Sequence, residues 1–100
     1  MIEWLQQWYL DQCNGDWEHE FGITIQTIDN PGWSISINLS DTKLENLEFP
    51  YTLRKNSDND WLGFSIQKSI FKGAGDTKKL NEIIMIFKEI YELNNVLPTL

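Results

Sequence analysis

Hydrophobic residues recur with the period of an α-helix near the start of the chain. Four of them within residues 1–13 fall inside an arc of about 80° at ~100° per residue. They are Ile2, Leu5, Tyr9 and Cys13. This stripe predicts a short N-terminal helix with its apolar side against the core. Asn14-Gly15 should end the helix, because both residue types tolerate left-handed backbone.

Four runs between residues 21 and 67 alternate apolar and polar positions, which is the period of a half-buried β-strand. The residues expected to face inward are Phe21, Ile23 and Ile25; Trp33, Ile35, Ile37 and Leu39; Leu47, Phe49, Tyr51 and Leu53; and Leu62, Phe64 and Ile66. Asn30-Pro31-Gly32 turns the chain between the first two runs, which predicts a hairpin. Pro50 indicates that the third run is an edge strand or contains a bulge.

A wide apolar arc marks the last helix. Residues 72–76 break the strand pattern, and Asp76 is a natural N-cap for this helix. The apolar residues between Leu80 and Leu93 span roughly 180° of the helix surface, so the helix is expected to pack deeply. Asn94-Asn95 and Pro98 are expected to end it.

The order α-β-β-β-β-α predicts an α+β fold, in which a four-stranded antiparallel sheet carries the N-terminal and C-terminal helices on one face. The other face should be open and lined by small polar residues. These are Thr24, Gln26, Ser34, Ser36, Asn38, Thr52, Ser65 and Gln67. One hundred residues without a linker or repeat is the size of one domain, so residues 1–100 are expected to form a single domain.

Charge separates the two halves of the chain. The formal net charge is −7, and residues 1–53 hold nine acids against Lys43 alone. An acidic half repels phosphate backbones and attracts basic proteins, which argues against nucleic-acid binding, although acidity also serves solubility alone. No apolar run approaches the ~20 residues that cross a bilayer. With no basic leader and a single cysteine, the expectation is a soluble protein of the reducing cytoplasm without membrane contact.

Residues 16–20 join the single histidine of the chain to three carboxylates. A metal or acid–base site would use His19 with Glu18 or Glu20, but in a strand His19 points away from both, so no metal ion is expected. His19 is instead expected to be partly buried. Cys13 and His19 suggest a thiol–imidazole dyad, but no oxyanion hole or nucleophile motif accompanies them, and no catalytic residue is assigned.

Glycines before the last helix raise the possibility of an anion-binding loop. Residues 73–76 combine two glycines with a predicted helix N-terminus, which is an arrangement that binds phosphate. The Lys-Ser/Thr pair of a P-loop is missing, and Asp76 would compete with an anion. The segment is interpreted as a turn with an N-cap, and no cofactor is expected.

Five tryptophans are many for a chain of this length. Tryptophan is the residue most enriched at binding hot spots, yet in a small domain it more often belongs to the core. Two or three are expected to be buried. Trp4 and Trp61 fall off the apolar faces of their predicted elements and are the best exposed candidates.

Several sequence strings resemble the Immunity protein 53 family of bacterial polymorphic-toxin systems. They are residues 4–9 (WLQQWY), 15–19 (GDWEH), 29–33 (DNPGW) and 71–76 (FKGAGD). The resemblance covers nearly the whole chain. It implies a non-catalytic inhibitor that is made beside a secreted toxin and binds it in the cytoplasm of the producing cell or its kin. The family does not specify which toxin.

The leading hypothesis is therefore that the chain binds a cognate toxin domain and occludes its active surface, such as the basic cleft of a nuclease. The acids would steer association by mimicking phosphate charge, and tryptophans would anchor the complex. The predicted partner-binding residues are Trp4, Asp11, Asp16, Trp17, Glu18, Glu20 and Trp61. Two alternatives remain. In the first, the open polar face binds a small molecule or a peptide, or pairs with a second copy of the chain. In the second, the chain is a small enzyme that uses Cys13 or His19.

Overall fold

The computed structural model describes residues 1–96, with the backbone alone for residues 95 and 96. Its helices and strands are α1 (Ile2–Gln12), α2 (Trp17–Glu20), β1 (Ile23–Ile28), β2 (Gly32–Asn38), β3 (Phe49–Ser57), β4 (Asp60–Gln67), β5 (Ile70–Gly75) and α3 (Leu80–Val96). Pro98, which was expected to help end the last helix, lies outside the described residues. No helix in the described part is long and apolar enough to cross a bilayer.

The strands form one antiparallel sheet in the order β1-β2-β5-β4-β3. The predicted α+β architecture, with an antiparallel sheet and a helix near each terminus, is confirmed. The predicted number of four strands is wrong, because residues 70–75 form β5 between β2 and β4. A side chain at Gly73 would collide with Ile83 of α3, so glycine at this position allows the helix to approach the sheet. The same glycine interrupts the alternation of apolar and polar residues by which a strand is predicted.

The core lies between the sheet and the helices α1 and α3. Its buried apolar side chains are Leu5, Trp8, Trp17, Ile35, Ile37, Leu39, Leu44, Leu62, Phe64, Ile66, Phe71, Ile83, Ile84, Ile86, Phe87 and Ile90. Phe87 of α3 is central, since its ring lies 5.1 Å from the rings of both Trp8 and Phe71. These contacts join α1, α3 and β5 into one packed unit.

The buried side of α1 differs from the predicted stripe. Leu5 is buried as expected, but Ile2 and Tyr9 are 48% and 39% exposed, and Trp8 is buried in their place. The Trp8 ring makes edge-on contacts with Trp17 and Phe87, at centroid distances of 6.0 and 5.1 Å. Because a tryptophan ring buries more area than isoleucine, these contacts set the rotation of the helix.

A bulge in β3 reverses the predicted alternation of that strand. Phe49 pairs with Ile66 and Thr52 pairs with Phe64, so β3 has one residue more than β4 across this step. Thr52 consequently faces the helices, whereas Tyr51 and Leu53 reach the open face, 62% and 50% exposed. The two properties that Pro50 indicated, an edge position and a bulge, are both confirmed.

Three element boundaries also differ from the predictions. Residues 17–20 form the short helix α2 and not a strand, and β1 begins at Ile23. The helix α3 begins at Leu80, four residues after the predicted cap. Asp76 instead accepts the backbone N–H of Lys78 at 2.9 Å and caps the turn that leads into α3.

Candidate functional site

Seven of the nine acids in residues 1–53 lie at one end of the sheet. Because the strands are antiparallel, β1 and β3 start at this end and β2 finishes there. The segment before β1 and the connection from β2 to β3 therefore meet. Their acids, which we call the acidic end, are Asp11, Asp16, Glu18, Glu20, Asp41, Glu45 and Glu48. Two bases, Lys43 and Lys68, lie in the connections at the same end.

Direct contacts hold the two acidic segments together. The indole Nε1 of Trp17 donates to the carbonyl oxygen of Ser40 at 2.9 Å. Asp11 of α1 and Thr42 and Lys43 of the second segment line the same cavity of ≈ 260 Å³. The hydroxyl of Ser69, in the turn between β4 and β5, donates to the carbonyl oxygen of Glu45 at 2.7 Å. The acidic end is thus one continuous surface built from three connections.

The loop between α1 and α2 is closed by Glu18. Its two carboxylate oxygens accept the backbone N–H groups of Asn14 and Gly15, at 2.9 and 2.8 Å. Gly15 has φ +96°, which favours glycine. The pKa of Glu18 is below its ordinary value because its own backbone N–H donates to the carboxylate and those of Asn14 and Gly15 add to the effect, against a smaller opposing effect of desolvation. Glu18 therefore shapes the loop.

Three exposed acids lie in or beside this loop: Asp11 near the end of α1, Asp16 in the loop itself and Glu20 at the end of α2. Asp11, Asp16 and Glu20 are all exposed, and the carboxylate of Asp11 accepts a hydrogen bond from Gln7 at 2.7 Å. Asn14 fixes the backbone beneath Asp16, since its side-chain oxygen accepts the N–H groups of Asp16 and Trp17. The three carboxylates thus stand on a backbone that is already ordered.

The connection from β2 to β3 is fixed in the same way. The carboxylate of Glu45 accepts the backbone N–H of Asp41 at 3.1 Å. Thr42 donates to the carbonyl oxygen of Leu39 at 2.7 Å and accepts the N–H of Leu44. Leu39 and Leu44 are buried and anchor this connection in the core. Asp41, Glu45 and Glu48 are exposed on it.

The tryptophans predicted to anchor a partner do not lie beside the exposed acids. Trp17 is 3% exposed, so it supports the acidic end from beneath and forms none of its surface. Trp4 is half-buried between α1 and α3, edge-on to Phe87 and Tyr91. Trp61 is half-buried at the opposite end of β4, paired with Lys55. The expectation that two or three tryptophans are buried is confirmed by Trp8 and Trp17.

Three acids of the site were missed by the sequence reasoning. Asp41, Glu45 and Glu48 were counted in the acidic half but were not placed beside residues 11–20. A usable signal existed, because the segment before the first strand of a hairpin and the segment after the second strand leave at the same end. The predicted hairpin of β1 and β2 therefore already implied their convergence.

The histidine and cysteine that suggested chemistry are not organised as a site. His19 is exposed on α2, and the prediction that it is partly buried is wrong because residues 17–20 are helical. The Cys13 thiol donates to the carbonyl oxygen of Tyr9 at 3.3 Å. Within residues 1–96, no group of three or more His, Cys, Asp or Glu side chains could hold a metal ion.

The open face of the sheet forms a second concave surface. A groove of ≈ 470 Å³ is lined by Gln26, Ser34, Ser36, Tyr51, Gly63, Ser65, Lys72, Gly73 and Ala74. The paired residues Gln26 and Ser34 match the predicted polar lining of this face. Tyr51 and Lys72 were not predicted here, since the bulge in β3 and the strand β5 bring them to this face.

Comparison with family models gives a match to Immunity protein 53 over residues 2–92. The matched span contains α1, α2, all five strands and most of α3, and therefore the whole acidic end. No curated protein matches the chain, and no solved structure matches it. Because the family model covers nearly the entire length, the chain belongs to the Immunity protein 53 family.

Proposed function

We propose that this protein is a bacterial immunity protein that binds a cognate toxin domain in the cytoplasm and neutralises it by covering its active surface. The acidic end is the proposed contact surface, and the toxin is proposed to present a basic surface such as a nuclease cleft. Membership of an immunity protein family supports toxin neutralisation. The convergence of two acidic segments at one end of the sheet carries the choice of surface.

Electrostatics supports this surface. Six exposed carboxylates, those of the acidic end without Glu18, stand beside the bases Lys43 and Lys68. The C-terminus of α1 also lies here and adds the partial negative charge of the helix dipole. A concentration of one sign of charge can raise the rate of association with an oppositely charged partner by about 10 to 10³. The acids are therefore proposed to steer the toxin towards this end.

Order within the acidic end supports tight binding as well as fast association. Hydrogen bonds to Asn14, Glu18 and Glu45 already fix the backbone that carries the carboxylates. Ordering a loop or a long side chain on binding costs free energy, at about 0.5–1.5 kcal/mol for each immobilised side chain. A preformed acidic surface avoids the backbone part of this cost.

Co-expression with the neighbouring toxin gene tests the proposal. The wild-type chain should restore growth of cells that express the toxin domain. The triple variant Asp11→Asn, Asp16→Asn and Glu20→Gln should restore it less well, because it removes three exposed charges from the acidic end. The matched control Asp29→Asn, Asp58→Asn and Glu82→Gln changes the net charge equally at exposed positions away from that end and should restore growth fully.

The outcomes separate the function from the surface. Failure of the wild-type chain to restore growth, with both proteins soluble, would show that the chain does not neutralise this toxin. Full rescue by the acidic-end variant would retain toxin neutralisation but assign it to a different surface.

The open face is the second candidate surface, for a peptide or a small molecule. Its groove places the exposed ring of Tyr51 beside small residues, including Gly63 and Ala74. A groove that combines one aromatic side chain with small, mostly polar lining residues suits an extended peptide or a small polar ligand. If the variant Tyr51→Ser abolishes rescue in the same co-expression assay while the acidic-end variant does not, the contact surface is the open face.

A further inference from the structure

The two edge strands of the sheet differ in their protection against pairing with another chain. The outer strand β3 carries Pro50, the bases Arg54 and Lys55, and two irregularities of register. Charges, prolines and bulges are the usual protection of an exposed strand edge. The other outer strand, β1, has the sequence Ile-Thr-Ile-Gln-Thr-Ile, with no charge and no proline, and pairs with β2 in unbroken register. Its free edge is therefore open to a further strand.

The direction of the backbone groups on this free edge follows from the pairing of β1 with β2. The N–H of Asn38 donates to the carbonyl oxygen of Gly22 at 3.0 Å, so hydrogen-bonded pairs fall at even-numbered residues of β1. The odd-numbered residues Ile23, Ile25 and Thr27 consequently point their N–H and C=O groups outwards. Three donors and three acceptors are presented along the edge.

We propose that two copies of this chain pair through their β1 strands, antiparallel about a two-fold axis at Ile25, to form one continuous sheet of ten strands. In this register Ile25 lies opposite Ile25 of the second copy, and Ile23 lies opposite Thr27. Every outward backbone group of the strand then finds a partner. The same register keeps both sets of helices on one side, because residues directly opposite each other point to the same face.

An apolar groove next to β1 extends the proposed contact. It has a volume of ≈ 500 Å³ and is lined by Ile2, Leu5, Gln6, Tyr9, Phe21, Gly22, Ile23 and Ile25. None of these residues is charged, and Ile25 is 38% exposed. The two-fold axis brings the Ile25 side chains of both copies together at the mouths of their grooves. Since a stable dimer buries about 1,200 Å² or more in total, this groove has to contribute beyond the strand pair.

Charge favours a second copy over a basic toxin at this edge. The chain has a net charge of −7, so two copies repel each other least when they meet through uncharged surfaces. The strand β1 and the adjoining groove form such a surface. Antiparallel pairing also sends the acidic end of each copy to opposite sides of the axis, where both stay free. The proposal is independent of the toxin-binding function.

Light scattering coupled to size-exclusion chromatography tests the pairing on the full chain. The wild-type protein is expected to have twice its chain mass of 11.8 kDa. Ile25→Lys places two like charges opposite each other at the axis and should halve the measured mass with an unchanged circular dichroism spectrum. Leu53→Lys is the matched control, since it adds the same charge to the exposed side of the opposite edge strand, and should remain dimeric.

A disulfide variant gives a second, positive readout that does not depend on how well Ile25→Lys folds. In a Cys13→Ser background, Ile25→Cys should form a covalent dimer on oxidation, because hydrogen-bonded antiparallel pairs hold their Cα atoms about 5.5 Å apart. Leu53→Cys in the same background should not. A monomeric wild-type chain, or a dimer that survives Ile25→Lys, would overturn the proposal. Loss of toxin binding by Ile25→Lys from a monomeric chain would assign the edge to the toxin instead.

Discussion

The indole N–H of Trp17 donates a 2.9 Å hydrogen bond to the carbonyl oxygen of Ser40, and this bond joins the two acidic segments of the molecule. Trp17 lies just before β1 and Ser40 lies just after β2. The ring is buried against Trp8, so the relative position of the two segments is set in the core. The buried side chain of Trp17 therefore sets the arrangement of the proposed contact surface, although it is not part of that surface.

Replacing Trp17 by phenylalanine should weaken both stability and toxin binding. The smaller ring leaves the part-buried Ser40 carbonyl without its donor, and loss of such a hydrogen bond costs about 1 kcal/mol. Urea denaturation should show the loss of stability, and surface-bound toxin should dissociate faster from the variant. Trp33→Phe is the matched control, since Trp33 makes the same kind of bond, to Thr77 at the other end of the sheet. If the toxin dissociates from Trp17→Phe at the same rate as from the wild-type protein, this role of Trp17 is contradicted.

Association with the toxin should depend on salt through the acidic end. In stopped-flow measurements, the triple variant Asp11→Asn, Asp16→Asn and Glu20→Gln should associate about tenfold more slowly than wild type at low ionic strength, with a flatter dependence on salt. The rates should converge in high salt because screening removes the steering. The control variant with three charges removed elsewhere should follow the wild-type curve. Equal rates for all three proteins would exclude steering by these acids.

Protonation of the Asp76 carboxylate should contribute to the unfolding of the protein in acid. Its pKa is lowered from 3.8 to about 2, first by the Lys79 ammonium and then by the N–H groups of Lys78 and Trp61. A carboxylate with a lowered pKa stabilises the fold above its ordinary pKa and loses this effect as pH falls from 3.8 to about 2. Asp76→Asn should lower the urea midpoint at neutral pH and flatten the decline of stability across this window.

Asp58→Asn is the matched control for Asp76→Asn. Asp58→Asn removes a charge from a 93% exposed carboxylate and should leave the neutral-pH urea midpoint unchanged. A decline of stability in Asp76→Asn as steep as in wild type would show that other carboxylates dominate acid unfolding.

Adding one methyl group at Gly73 should destabilise the fold. An alanine there would meet the side chain of Ile83, so α3 has to move away from β5. Overpacking of this kind costs about 1–3 kcal/mol. Thermal or urea unfolding should show the loss. Gly22→Ala is the matched control, because its new methyl group has nothing within 4 Å and should change stability little. Equal stability of both variants would mean that α3 adjusts freely.

Much of the fold follows from local periodicity. The strands β1, β2 and β4 alternate cleanly, and α3 has a broad apolar face, so each was predicted close to its observed position. β5 was not, because its Gly-Ala-Gly stretch carries no alternating side chains. The reason for those glycines is the close approach of α3, which is a long-range contact that the sequence pattern does not display.

The candidate site, like the fold, could be predicted from the sequence only in part. The sequence alone determined that the acids are concentrated in the first half of the chain and that its strings resemble an immunity protein family. Only the tertiary structure decided that Trp17 is buried and that residues 11–20 meet residues 39–48. Charge is a property of each residue and can be counted along the chain. Which charges share a surface depends on strand pairing and aromatic packing, and these are contacts between residues far apart in sequence.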